Sequence, residues 1–315
     1  MRKLDLTLLT LVNALWAGQY TAMKIGLRQL GPLTIVSFSM VLCVVLVALF
    51  IRLEARGKPL AARPPLTLET CSKFFLLGFL GSATAQLGFC FGVRISLAST
   101  AAVLSLSIPI LCTALAVILL GERMTRFRWL SFGLAVCGAV LVTGVSRQTL
   151  TGMTLPYFFG NLLIILGCCG SAFLNVYSKK LLARFSELEV LFGGMLVSAT
   201  VILPIALIEE GKLLPRLSEL RFGTIGALLY LGVLCYGAGM VIFYGIIRRI
   251  DVIIASLSTY LMSVFGVLIA CITLHERLSL PVFVGGTLVA AGTVIVTLYD
   301  APARSAAESE SKDAM

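Results

Sequence analysis

One histidine, His275, is all this sequence offers to a metal centre built on imidazole, and its nine cysteines form no CxxC pair. A zinc cluster and a dithiol redox site are excluded on that ground. There is no GxxxxGK[ST] loop to cradle nucleotide phosphates and no GxSxG turn to raise a serine nucleophile. Charge is scarce as well: Asp, Glu, Lys and Arg make up 13% of 315 residues, where soluble domains use about 25%. The acids lie between apolar runs rather than paired inside them, and the period-two alternation of a membrane barrel is missing. These absences leave no catalytic residue, no metal and no cofactor to assign, and no room for a large soluble domain.

What is present is hydrophobicity, 59% of the chain, with a mean hydropathy of +1.02. Runs free of Asp, Glu, Lys, Arg and His extend over Leu6–Met23, Leu33–Ile51, Phe74–Val93, Ser99–Leu120, Trp129–Val145, Leu155–Ser178, Val190–Ile208, Phe222–Ile247, Val252–Leu274 and Leu278–Tyr299. A helical span needs roughly 20 such residues to cross the hydrocarbon. The expected fold is therefore an all-α integral membrane protein of ten transmembrane helices. All cysteines but Cys71 fall inside these runs and read as small hydrophobes. The basic start, Met1 to Asp5, passes straight into the first run with no small-residue cleavage site, which reads as a helix rather than a leader.

The net charge of +10 does not gather on one face, as a nucleic-acid surface would require, but is spread over short loops where it suits anionic lipid. With the N-terminus inside, seventeen Lys and Arg fall on the cytoplasmic side; Lys24, Arg28, Arg94, Arg147, Lys212, Arg216, Arg221 and Arg277 fall outside. Basic residues are retained inside, so both termini are expected in the cytoplasm. The tail, 300–315, has nothing to bury and reads as disordered.

Laid on itself at an offset of 154 residues, the chain repeats. Leu120-Gly121-Glu122-Arg123-Met124-Thr125 falls on Leu274-His275-Glu276-Arg277-Leu278-Ser279, Gly138 on Gly292, and Arg94 on Arg248. One further residue of offset brings Lys24 onto Lys179. The expected units are residues 1–147 and 153–299, five helices each. An odd number of spans makes the second copy enter from the opposite face, and inverted repeats in secondary transporters place the substrate near the midplane between the halves.

Trp16-Ala17-Gly18-Gln19-Tyr20, followed by Lys24-Ile25-Gly26-Leu27 and Gly31-Pro32-Leu33-Thr34, resembles the opening of EamA-type members of the drug/metabolite transporter superfamily. So does the stretch from Ala98 through Ser107-Ile108-Pro109 to Leu120-Gly121-Glu122-Arg123-Met124, with its second copy ending Leu274-His275-Glu276-Arg277-Leu278. The resemblance runs from about residue 4 to residue 299. It implies ten helices in two inverted halves that move small organic solutes, commonly outward, across the bacterial inner membrane. Two departures stand out. Many relatives carry an Arg in the second span where this chain reads Phe38-Ser39-Met40, and Ser263 occupies the place in the second copy that Pro109 holds in the first.

Polar side chains are costly in a bilayer and usually face the bundle interior. The candidates for a substrate cavity are Trp16, Gln19, Tyr20, Gln86, Ser105, Asn175, Tyr236 and Tyr260, with Asn13, Tyr177 and Ser256 as further uncharged polar positions. Residues 13, 16 and 20 share one face of a continuous helix, which points an aromatic stripe inward. Glu122 and Glu276 end their spans two or three residues before another helix, where a carboxylate can cap free N–H groups or, by pairing with Arg, act as a gate. Pro109, midway along its span, is expected to break the helix and is a hinge candidate. Gly78, Gly81, Ser82, Gly285 and Gly286 suit close helix approach.

The expected function is secondary transport, by alternating access, of a small neutral or zwitterionic solute such as an amino acid, because no Lys or Arg lies inside a span to meet a phosphate. The expected partners are that solute and membrane lipid, not nucleic acid, for a monomer or homodimer. A carrier of phosphorylated sugars or nucleotide sugars is the alternative within the superfamily. A lipid-modifying membrane enzyme and a channel are alternatives of other classes.

Overall fold

With no water to satisfy them, backbone N–H and C=O groups in a bilayer must pair within their own segment, and the apolar runs are helical where they are described. The computed structural model describes residues 3–55, 67–120, 126–143, 155–211, 219–249 and 259–276, with positions 255, 280, 283–288, 290–291 and 295 of the last stretch. Among these residues all regular structure is helix and no strand occurs. The helices are α1 (Lys3–Ala17), α2 (Gln19–Gly26), α3 (Pro32–Ala55), α4 (Leu68–Ile95), α5 (Ala98–Leu119), α6 (Arg126–Thr143), α7 (Leu155–Leu182), α8 (Glu187–Glu209), α9 (Phe222–Ile247) and α10 (Thr259–Leu274).

Among the described residues six helices are long and apolar enough to cross a membrane: α3, α4, α5, α7, α8 and α9. The expected first span is divided into α1 and α2 at Gly18, and the expected tenth, Leu278–Tyr299, lies mostly outside the described residues. The tail, 300–315, lies outside them altogether. Outward faces carry large apolar side chains, such as Ile118 at 75% exposure and Ile208 at 79%. A water-facing surface does not tolerate apolar patches on that scale; hydrocarbon does.

The division at Gly18 has a local cause. A Cβ there would sit 2.6 Å from the Tyr230 hydroxyl oxygen, and that hydroxyl donates to the carbonyl of Leu15, as does the Cys235 thiol at 3.4 Å. Side chains of α9 thus satisfy backbone at the break, the condition under which a helix can be interrupted at membrane depth.

Two further irregularities match each other. Leu77–Ala83 in α4 and Tyr230–Gly239 in α9 are wound as π-helix, and the offset of 154 carries Leu77 onto Leu231 and Ala83 onto Gly237. Such wide turns are frequent at functional sites. In α5 the expected break appears one turn before Pro109. The missing proline N–H leaves the Ser105 carbonyl without its usual donor, and the backbone tightens to a 3-10 turn over Ser105–Ser107 in which Ile108 N–H donates to Ser105 instead.

Glycines allow a close contact between α4 and α7: a Cβ at Gly88 would lie 2.6 Å from the backbone nitrogen of Gly167. Gly78 likewise approaches the carbonyl of Gly194, and Gly286 the side chain of Val103. The expected role of small residues in close packing is met at these positions.

The bundle has two ends. Lys24, near the end of α2, donates to the carbonyls of Val93 and Ser96 at the end of α4, at 2.6 and 2.5 Å. At this Glu276 end α3 and α5 begin, and α8 and α10 finish beside them. At the opposite, Ser186 end, α4 and α8 begin.

Candidate functional site

A cavity of about 50 Å³ lies inside the bundle. Trp16 and Gln19 reach it from the two sides of the Gly18 break, Gln86 and Phe89 from α4, and Ile108 from α5. Ser171, Leu174 and Asn175 line it from α7, Met195 from α8, Cys235, Tyr236 and Met240 from α9, and Thr259 and Met262 from α10. No charged side chain is among them. At roughly 10–15 Å³ per water, the space holds a few waters and no whole metabolite, so its walls must part to admit one.

Five of the residues that stand out in the sequence as breaks in apolar runs, Trp16, Gln19, Gln86, Asn175 and Tyr236, meet on this wall. Tyr20 and Ser105 do not. The break at Gly18 interrupts the stripe expected at 13, 16 and 20, so Gln19 faces the cavity and Tyr20 is buried with its ring edge-on to Phe89, 5.2 Å away. Ser105 donates back to the Ala102 carbonyl at 2.7 Å and meets Ser263 of α10 at 3.0 Å. Asn13 donates to the Leu9 carbonyl of its own helix. The side chain of Tyr260, and Glu122 as a whole, lie outside the described residues. Sequence reasoning missed Phe89, Ile108, Leu174 and the three methionines, because an apolar residue in an apolar run carries no mark.

Hydrogen bonding fixes what the cavity can offer. The Tyr236 hydroxyl donates to the Gln86 amide oxygen at 2.9 Å, which leaves the Gln86 amide nitrogen as a donor. The Trp16 indole N–H donates to the Cys235 carbonyl at 2.9 Å, inside the π-helical segment. Its ring, backed by Phe243 at 5.1 Å, therefore presents a fixed flat surface. Asn175 makes only a weak contact from its amide nitrogen to the Cys112 sulfur, at 3.9 Å. The site is thus a neutral pocket: amides and hydroxyls on one part, and aromatic rings with adaptable thioethers on the other.

The helix-end acids sit elsewhere. Glu276 accepts hydrogen bonds from the Ala98 and Ser99 N–H groups of α5, at 3.1 and 2.8 Å; residues 277–279, which follow it, lie outside the described residues. Packing brings the end of α10 to the start of α5. Glu210, which the sequence did not single out, does the same for α3, accepting from Leu33 and Thr34 at 3.1 and 2.9 Å. Lys24 is held against α4 by its two carbonyl bonds. With Arg28, Arg94 and Glu276 it lines a separate recess of about 380 Å³ at the same end.

The sequence profile of the EamA-like transporter family matches residues 5–144 and again residues 158–298. The chain belongs to this family. Among its curated relatives, the EamA chain is 21% identical over 286 residues to the uncharacterized transporter YoaV of Bacillus subtilis, covering 91% of this chain and 94% of that one. It is 27% identical over 293 residues to a probable terminal-alkyne amino-acid exporter of Streptantibioticus cattleyicolor, with 91% of each covered. A shorter match, 30% over 145 residues, covers 44% of this chain and 46% of an S-adenosylmethionine uptake transporter of Rickettsia felis. A solved crystal structure superposes with a TM-score of 0.65 over 95% of this chain and 98% of its own, at 18% identity, which shows a shared fold. The protein is a multi-pass membrane transporter of the EamA family for a small molecule, and it is not an enzyme.

Proposed function

We propose that this EamA protein is a ten-span secondary carrier made of two inverted halves, residues 1–147 and 153–299. On this reading it moves a small neutral or zwitterionic metabolite, of the amino-acid kind, outward across the bacterial inner membrane by alternating access. The observation that carries the reading is the uncharged lining of the central cavity. A phosphorylated sugar or nucleotide sugar would lose its hydration there with no Lys or Arg to replace it. A zwitterion can be held by the Gln86 and Asn175 amides, the hydroxyls of Ser171 and Thr259, and backbone carbonyls near the Gly18 break.

The two-half layout is supported by π-helical segments at positions related by the same offset as the sequence repeat. A divided helix beside the cavity is the arrangement by which inverted-repeat carriers build substrate sites at depth. The excess of basic residues assigns the Ser186 end and both termini to the cytoplasm. One relative's name is that of an amino-acid exporter, which accords with the proposed cargo and direction. Among the described residues no carboxylate lines the cavity, so exchange or facilitated diffusion is as well supported as proton coupling. The proposed working form is a monomer or homodimer in lipid.

Counterflow in proteoliposomes tests this reading. Preloaded unlabelled amino acids are expected to drive entry of a labelled zwitterion, whereas phosphorylated sugars and nucleotide sugars are not. Robust counterflow of a sugar phosphate without any zwitterion exchange would falsify it.

A further inference from the structure

At the Glu276 end, three helices begin with their free N–H groups held by side chains from the other half of the chain. Glu210 holds Leu33 and Thr34 of α3, and Glu276 holds Ala98 and Ser99 of α5. In the reverse sense Gln29, between α2 and α3, accepts from the Arg221 N–H at 2.9 Å and from the Thr224 hydroxyl at 2.6 Å at the start of α9, and donates to the Glu219 carbonyl. The Ser186 end is built differently. There α4 is capped by its own Thr67, and α8 by a reciprocal pair in which Ser186 accepts from the Glu189 N–H and the Glu189 carboxylate accepts from the Ser186 N–H.

Parting the halves at the Ser186 end therefore uncaps neither of these helices, while parting them at the Glu276 end uncaps three. Links between the halves do exist at the Ser186 end: Lys180 donates to the Leu119 carbonyl, Arg249 lies 4.0 Å from Asp5, and the Phe74 and Phe185 rings meet edge-on at 5.2 Å. The two polar links rest on exposed cations with long, flexible stems, which can follow a moving partner, and the ring pair caps no helix. The cavity lies between the two ends: Asn175, Met195, Met240 and Met262 fall in the Ser186-end halves of their helices, and Trp16, Gln86 and Phe89 in the Glu276-end halves of theirs. We propose that Glu210, Glu276 and Gln29 together form the gate of the transport path at the Glu276 end, shut in this conformation and released as a unit when that end opens. This rests on the carrier reading above and names three residues that control access rather than bind cargo. When Glu276 lets go of α5, the recess it lines already holds Lys24, Arg28 and Arg94, so the freed carboxylate meets cations and not hydrocarbon.

Hydrogen exchange read by mass spectrometry separates a gate from three unrelated caps. In the unmodified protein, peptides spanning 33–34, 98–99 and 221–224 are expected to exchange with one common opening rate, slower than the peptide around Glu189. In Glu276→Gln, which keeps the side chain's size but not its charge, all three are expected to speed up at least threefold together. The second variant, Gln29→Ala, is expected to do the same from the other partner, so a folding failure in one leaves the other to decide. Loosening confined to the altered cap, with the other two rates unchanged, would overturn the proposal. Neither readout needs a transported solute. A failed counterflow panel with coupled exchange rates refutes the cargo and keeps the gate; a positive panel with independent rates does the reverse.

Discussion

Trp16 and Gly239 cannot both keep their present places if the glycine gains a side chain: a Cβ at 239 would lie 2.7 Å from the indole nitrogen and 3.1 Å from the Leu234 carbonyl. That nitrogen is the one bonded to the Cys235 carbonyl, so the wide turn in α9 and the flat wall of the cavity are a single construction. Gly239→Ala is expected to push the ring out of position, weakening apparent solute affinity several-fold in counterflow while folded yield is kept. The chain has two tryptophans, so Trp129→Phe isolates the Trp16 emission; an unshifted spectrum in Gly239→Ala would show that the ring had not moved.

The bond from Tyr236 to Gln86 joins α9 to α4 across the cavity. Interhelical hydrogen bonds of this type contribute on the order of 0.6 kcal/mol, rising to about 1.7. Tyr236→Phe and Gln86→Ala are each expected to cost about that much in detergent unfolding, with a double variant costing less than the sum. Strict additivity would mean that the two side chains act separately.

Gly31 leaves the space that the Glu210 carboxylate fills. Gly31→Ala is expected to displace that carboxylate from Leu33 and Thr34 and to lose about 1 kcal/mol, the usual cost of an N-terminal cap. Once Glu210→Gln has weakened the cap, Gly31→Ala should cost much less. Equal losses in both backgrounds, read by thermal melting, would rule out this coupling.

Cys71 is exposed in the first turn of α4, at the Ser186 end. A membrane-impermeant maleimide is expected to reach it from the cytoplasmic face alone. Cys169, also exposed but midway along α7, should resist such a reagent, because a charged, water-soluble maleimide does not enter hydrocarbon. Labelling of Cys71 in intact cells would invert the assigned topology.

Much of this arrangement is legible in the sequence because a bilayer makes polarity conspicuous. Gln86 and Asn175 interrupt apolar runs, and the structure brings both to the cavity with Trp16. Pro109 announces its disturbance of α5, since a missing N–H acts on the carbonyl one turn earlier. Other features carry no local mark. Met195, Met240 and Met262 look like any other lipid-compatible residue, and only packing turns them inward. The break at Gly18 depends on Tyr230, which is far away in sequence. Glu210 lies in an unremarkable turn; what makes it a cap is the arrival of α3, and Glu276 serves α5 for the same reason. Periodicity reports which residues are apolar, while these pairings depend on which helix ends meet.

The long reach of Glu210 also sets a schedule for biosynthesis. Its partner Leu33 precedes it by 177 residues, and a ribosome adding roughly 5–20 residues per second needs on the order of 10–35 seconds to make that stretch. Ser186, by contrast, finds Glu189 three residues later, almost as soon as it is synthesised. The beginning of α3 must therefore wait in the translocation machinery or at the headgroups with its N–H groups hydrated, and the same holds for α5 until Glu276 arrives. The first half is released with two unfinished helix starts, and only the completed chain can finish them.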